Sequence, residues 1–374
     1  TNATLNLIYD DELDQAENHE AMQLGMPTTL ASINELTIKI KFQMNAEYIF
    51  EDLENREGFD FASLINSVLR EHGENITTLN LKFAFVGLQD HGTIANAISL
   101  LEVQHLPQLS QLTINFDCLS HEELYADEDY QIFKAILRLL NNLPHPEQLS
   151  ALQLGIQNIP VKGTTQDMAD FHHFFSRANQ LETFELLGMN YQDDGATDLM
   201  QIFVQHQNLK NITIDAIGSK LDWEHLIMLL QSQSIQKINW TTFDLIHQET
   251  PAAFLTVVQQ FADALEENST LSELHIHFDD FDLTPELNMI EDPHFFDTFY
   301  DHLSRGIMGA SNLTSFEMAY ILKFKFPMIL KPYLMDIGQC LNLTHLSFPK
   351  SGIPAVINGL PTTLSGLQRV AREI

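Results

Sequence analysis

The chain repeats one short arrangement of positions: apolar, two residues, apolar, one residue, apolar. It reads INELTI from Ile33, ITTLNL from Ile76, LSQLTI from Leu109, LSALQL from Leu149 and LETFEL from Leu181. It continues as LKNITI from Leu209, IQKINW from Ile235, LSELHI from Leu271, LTSFEM from Leu313 and LTHLSF from Leu343. The opening segment ATLNLI sets Leu5 and Leu7 in the same alternation. From Ile33 to Leu343 the nine steps average about 34 residues and range from 26 to 43. Alternation over five or six residues predicts a strand with one buried face. A quasi-regular period of this length predicts stacked units, none of which can bury its apolar face alone.

The intervals predict helices. TPAAFLTVVQQFADALEEN offers Thr250 as an N-cap and Pro251 in the first turn, and DPHFFDTFYDHLSRGI repeats the device with Asp292 and Pro293. Apolar residues recur at three and four in FASLINSVLREHG, DYQIFKAILRLLNNL, QDMADFHHFFSRANQ, ATDLMQIFVQHQN and DWEHLIMLLQSQ. The unit is therefore strand, loop, helix, loop, and its stacking predicts a parallel sheet on one side with helices on the other.

On these motifs the chain resembles leucine-rich-repeat proteins of the long, helix-backed type found in ribonuclease inhibitor. The resemblance runs from about Leu5 to Ser351. It implies an α/β solenoid, a horseshoe of about 11 repeats with a concave parallel sheet and convex helices. One domain is expected over residues 1–374: an N-terminal repeat or cap at 1–32, core repeats at 33–350, and a cap or the start of a further repeat at 351–374. GLPTTLSGLQRV in the last stretch echoes GMPTTLASINEL near the start. The chain departs from the family at the position three residues past the last apolar residue of the strand. There the family places an Asn or Cys ladder, and this chain has Lys41, Ala84, Asp117, Gln157 and Asp279 among others. The loops must satisfy their backbone groups by other means.

Side-chain alternation sends the intervening strand residues to the concave face. The central row reads Asn6, Thr37, Asn80, Thr113, Gln153, Glu185, Thr213, Asn239, His275, Glu317 and Ser347. Lys39, Lys82, Asn115, Gly155, Leu187, Asp215, Thr241, His277 and Ala319 lie in a flanking row. Such a row of short polar side chains suits docking of a protein partner better than a small-molecule pocket.

Charge narrows the partner. With 51 acidic and 19 basic residues the net charge is -32 at pH 7, which disfavours nucleic acid and anionic membranes and would steer in a basic surface. Three long intervals carry acidic loops. In SHEELYADEDY, Glu122, Glu123, Asp127 and Asp129 would form a rim, with Tyr125 and Tyr130 as anchors. No run of apolar residues is long enough to span a bilayer, and TNATLNLIYD lacks the pattern of a secretory leader. Cys118 and Cys340 are too few for a disulfide scaffold and fit a reducing compartment.

HIHFDD carries the residue types of a metal site. His275 and His277 share a face, with Glu317 expected on the next strand, and two imidazoles with a carboxylate could take zinc. Asn239 and Thr241, on the preceding strand, are poor further ligands, so the pair reads as partner contact, with no metal and no cofactor expected. His172 and His173 are adjacent in a helix and point apart. No nucleophile elbow, phosphate loop, dinucleotide fingerprint or HExxH motif occurs, so catalysis is not expected. Seven N-x-T sequons, at Asn2, Asn75, Asn211, Asn239, Asn268, Asn312 and Asn342, read mainly as by-products of the repeat. Irregular repeats, the missing ladder, two cysteines and abundant Asn and Gln also resemble leucine-rich-repeat effectors of intracellular bacterial pathogens. That resemblance implies delivery by a specialised system into host cytosol to bind a host protein, and a monomer is expected. The alternatives are a cell-surface recognition module that uses the sequons, and a metal-dependent enzyme built on His275, His277 and Glu317.

Overall fold

A computed structural model of the chain describes residues 2–10, 33–43, 61–86, 95–96, 98–118, 130–156, 160–161, 165–188, 190–191, 195–216, 223–242, 251–278, 293–319, 342–347 and 356–358. The chain forms two compact units, Thr1–Gly195 and Ala196–Ile374. Each is α/β, a run of parallel strands alternating with helices.

In the first unit, β1 (Asn2–Asp10), β2 (Glu35–Gln43), β3 (Thr78–Val86), β4 (Gln111–Cys118), β5 (Ala151–Ile156) and β7 (Thr183–Leu187) lie in that order, every pair parallel. Between the exit loops, β6 (Pro160–Val161) and β8 (Asn190–Tyr191) form a small parallel pair of their own. The helices are α1 (Phe61–His72), α2 (Tyr130–Asn141) and α3 (Thr165–Arg177).

The second unit holds helices α4 (Gly195–Gln205), α5 (Trp223–Leu230), α6 (Pro251–Glu267) and α7 (Pro293–Gly309). Its sheet runs β9 (Asn211–Ala216), β10 (Lys237–Thr242), β11 (Glu273–Phe278), β12 (Ser315–Ala319) and β13 (His345–Ser347), all parallel. A last strand, β14 (Val356–Asn358), pairs with β13 antiparallel. Residues 356–358 thus do not continue the parallel series. The helices α1 to α7 fall on the amphipathic stretches of the sequence, and Pro251 and Pro293 each open one. Thr250 and Asp292, the expected caps, lie outside the described residues.

The apolar template is the core. Every described template residue is buried, none above 4% exposed: the first position from Ile33 to Leu343, the second from Leu36 to Leu346, the third from Ile38 to Met318. Helix residues such as Ile136 and Leu140 of α2, or Phe171 and Phe174 of α3, close over them. Rings stack from repeat to repeat, as at Phe83–Phe116, 4.7 Å apart. Those two rings occupy a fourth inward position, with Ile40, that the template did not include. It lengthens the first four strands to eight or nine residues. Lys41, Ala84 and Asp117 therefore lie within strands, where a ladder asparagine would have sat in a loop. Gly188 ends β7 instead, at φ 71°, a left-handed conformation that glycine adopts without Cβ strain.

A ladder exists, but at strand entry and built from hydroxyls. In the first unit the carbonyl of Asn34 takes the N–H groups of Thr77 and Thr78 (2.8 and 3.0 Å), and the Thr77 hydroxyl donates to it as well (3.1 Å). The Ser110 hydroxyl repeats this on Thr77 O (3.1 Å) and that of Ser150 on Ser110 O (3.0 Å). In the second unit Ser272, Thr314 and Thr344 donate in the same way to Gln236, Ser272 and Thr314, each at 3.0 Å. All six occupy one template position, directly after the first apolar residue. Each bond ties a strand start to its predecessor in the same place, which fixes the stacking register.

Candidate interaction face

The strand registers decide which side chains share a row. In the first unit Thr37, Asn80, Thr113, Gln153 and Glu185 are direct cross-strand partners, all half-buried. In the second, Thr213, Asn239, His275 and Glu317 form the corresponding half-buried row, with Ser347 next in register. These are the central-row positions read from the sequence, with one correction. β1 pairs two residues further along than expected: Leu5 sits opposite Ile38, so Thr4 joins the central row and Asn6 falls beside Lys39. A shift of two preserves the buried face, so the apolar pattern alone could not distinguish the registers.

The row is held laterally. Asn80 donates its amide to the Thr37 hydroxyl (3.2 Å), Asn239 to that of Thr213 (3.1 Å), and Thr113 its hydroxyl to Gln153 Oε1 (3.4 Å). In the flanking row Asn115 covers Gly155: a Cβ there would lie 2.1 Å from Asn115 Oδ1. Lys39 and Lys82 stand side by side and exposed.

In the second unit two histidines flank a carboxylate. Glu317 has Oε1 3.8 Å from His277 Nε2 and Oε2 3.8 Å from His345 Nε2. His275 Nε2 lies 3.1 Å from the Ser315 hydroxyl. Burial lowers the His275 pKa below the ordinary imidazole value; Glu317 and Glu273 pull it up, Lys237 and His277 push it down. On the neighbouring row the Lys237 ammonium, 2.8 Å from Glu273, holds that carboxyl below the usual range. His345 is a member of this group that the strand-by-strand reading missed. It sits one row outside Glu317, where only the register with β13 brings it close. The alternative site of His275, His277 and Glu317 is not assembled, since His275 turns to Ser315 while His277 and His345 flank Glu317. Among the described residues no three His, Cys, Asp or Glu side chains are grouped to hold a metal ion.

The acidic-loop candidates Glu122, Glu123, Tyr125, Asp127 and Asp129 lie outside the described residues, and Tyr130 is described only as the first residue of α2. Several sequon asparagines have their amides engaged with the preceding repeat. Asn312 donates to Ser269 O and Asn342 to Ser311 O. Asn268 is buried and donates to Leu230 O (2.5 Å), while its Oδ1 accepts from the N–H groups of Thr270 (2.9 Å) and Leu271 (2.7 Å). In Asn312-Leu313-Thr314 and Asn342-Leu343-Thr344 the threonine is also a rung of the hydroxyl ladder. No described helix is long and apolar enough to cross a membrane.

No protein-family model matches the chain, and no curated protein matches it. Among solved structures it is similar to a Bacteroides fragilis protein, at 15% identity over 73% of this chain and 74% of that one, TM-score 0.37. It is also similar to an internalin from Listeria monocytogenes, at 13% identity over 77% of this chain and 87% of that one, TM-score 0.28. A leucine-rich-repeat protein of Leptospira interrogans matches at 14% identity over 76% of this chain and 68% of that one, TM-score 0.28. The repeat architecture itself stands on the strand registers and buried template of this chain.

Proposed function

We propose that the chain is a non-catalytic scaffold that binds a protein partner through the polar rows of its sheets. The observation that supports this most is the register. Short polar side chains stand in line on strand after strand, half-exposed and cross-bonded to each other, so the face is rigid before any partner arrives. Preorganisation of this kind lowers the entropy lost on docking. The net charge of -32 favours a partner with a basic surface and an association that salt weakens. That the partner is a host regulatory protein rests on the sequence resemblance to bacterial effectors, as does delivery into host cytosol.

The test is capture from host-cell lysate by the wild-type chain and by two variants, Thr113→Arg with Gln153→Arg in the first unit and Thr213→Arg in the second. Partners retained by the wild type at 50 mM salt and lost from a variant whose melting curve is unchanged support the face. Identical capture by all three proteins would overturn it.

A further inference from the structure

Basic residues are scarce in this chain, 19 in 374, and most of those described on helices are engaged. Arg70 of α1 clamps Glu102, with Nε at 2.6 Å from Oε2. Arg305 of α7 reaches Asp263 of α6 at 2.5 Å. Arg177 of α3 donates to the carbonyls of Asn141 (2.8 Å) and Leu143 (3.2 Å), where α2 ends. A cation there complements the exposed carbonyls of the helix terminus.

Lys134 and Arg138 of α2 differ. Both are exposed, and among the described residues neither has a carboxylate within 4.0 Å. They are four apart on one helix, so they are neighbours that repel each other. Both border one cleft of about 240 Å³, whose other walls are Ala95, Asn96, Ser99 and Gln131. Gln131, Lys134 and Arg138 fall on one stripe of α2, at spacings of three and four, and Asn96 and Ser99 face them from the preceding repeat. The cleft thus collects two cations and two carboxamides in a protein whose net charge is -32.

We infer that this cleft is a binding site for the phosphate group of a small phosphomonoester. A phosphate monoester carries about -1.5 to -2 charges at neutral pH, enough to answer both cations. The guanidinium fork of Arg138 can bond two of its oxygens and the Lys134 ammonium a third. Asn96 and Gln131 can donate to what remains. A monocarboxylate would leave one cation unanswered. The volume is below the roughly 300 Å³ at which drug-sized ligand sites begin, so it suits a headgroup of few atoms. The cleft lies among the helices of the first unit and not on the polar row, so it is independent of the protein-binding face.

Titration of purified protein followed by ³¹P NMR of glycerol 3-phosphate tests this, with acetate as the carboxylate arm monitored through its ¹³C signal. Saturable binding of glycerol 3-phosphate is expected, weakened about tenfold or more in Lys134→Met and in Arg138→Gln. Arg138→Lys keeps the charge but loses the fork, and should fall between. Arg70→Gln, which removes a paired cation elsewhere, should bind as the wild type does. All variants change exposed side chains, and unaltered circular-dichroism melts would show that they fold. Absence of saturable binding, binding indifferent to Lys134 and Arg138, or acetate binding equal to that of the phosphate would each overturn the inference.

Discussion

Asn268 and Asn342 occupy the same motif, N-x-T before a strand, and do very different amounts of work. Asn268 is buried and bonded to Leu230 O and two N–H groups. Removing it leaves buried donors and an acceptor unpaired, at about 1–3 kcal/mol for each such group. Asn268→Ala should therefore lower unfolding stability by about 2–4 kcal/mol in urea titrations, while Asn342→Ala, at an exposed site, should cost under about 1 kcal/mol. Equal losses would mean that burial is not what sets the difference. The sequence showed the motif but not which copy is buried, because depth depends on the helices packed over each strand entry. His275 makes a second residue-scale prediction. Its pKa is lowered mainly by burial, against the pull of Glu317 and Glu273. The unfolded chain, near the ordinary value of about 6.5, then binds the proton more readily than the folded one. Stability is complete above that value and is lost as pH falls through it to the folded pKa. His275→Gln should flatten the dependence of unfolding free energy on pH between 7.5 and 5.5, and an unchanged slope would place the sensitivity at other groups.

Helices α6 and α7 show what element-scale packing adds. A Cβ on Gly306 would come 2.8 Å from Ala262 Cα and 3.1 Å from Ala262 Cβ, backbone that cannot swing aside. On Gly309 it would come 2.5 Å from Glu266 Cγ, which can rotate away, and 3.0 Å from Glu266 Cβ, which cannot. Alanine in a helix interior gains up to about 1 kcal/mol over glycine, and overpacking costs about 1–3. Gly306→Ala should then lose about 1–2 kcal/mol on balance, while Gly309→Ala, at the helix end and against a partly movable neighbour, should lose less, under about 1 kcal/mol. Urea midpoints measured at equal m-values would separate the two. Element positions were legible in the sequence for a related reason. Strand and helix periods differ, and the template Ile33-Leu36-Ile38 and its copies are buried on both counts. The hydroxyl ladder was not legible, because a Ser or Thr after the first apolar residue looks like any polar strand position until its predecessor is stacked beneath it. The two-residue shift of β1 was hidden too, since Leu5 and Leu7 satisfy either register. Of the candidate site, the rows were legible from alternation, whereas His345 beside Glu317 needed the pairing of β12 with β13.

Across the whole molecule the net charge of -32 acts on folding and on association in opposite directions. Like charges held on a compact surface repel more than on an extended chain, so self-repulsion disfavours the folded state. Raising ionic strength from 0.01 to 0.15 M shortens the screening length from about 30 to about 8 Å and should relieve that repulsion. The melting temperature is therefore expected to rise over this range. Ion pairs that salt would weaken, such as Lys237–Glu273 and Arg305–Asp263, are partly exposed and worth at most about 1 kcal/mol each. Association with a basic partner should move the other way, its rate constant falling as the same screening removes the steering field. Measuring both on one sample series, by circular-dichroism melting and by stopped-flow binding, gives two slopes of opposite sign. If the melting temperature rises while the association rate stays flat, the acidic surface serves solubility and the partner is not chosen by charge. If both are flat, the carboxylates are spaced beyond one another's reach, and the field of the chain steers nothing.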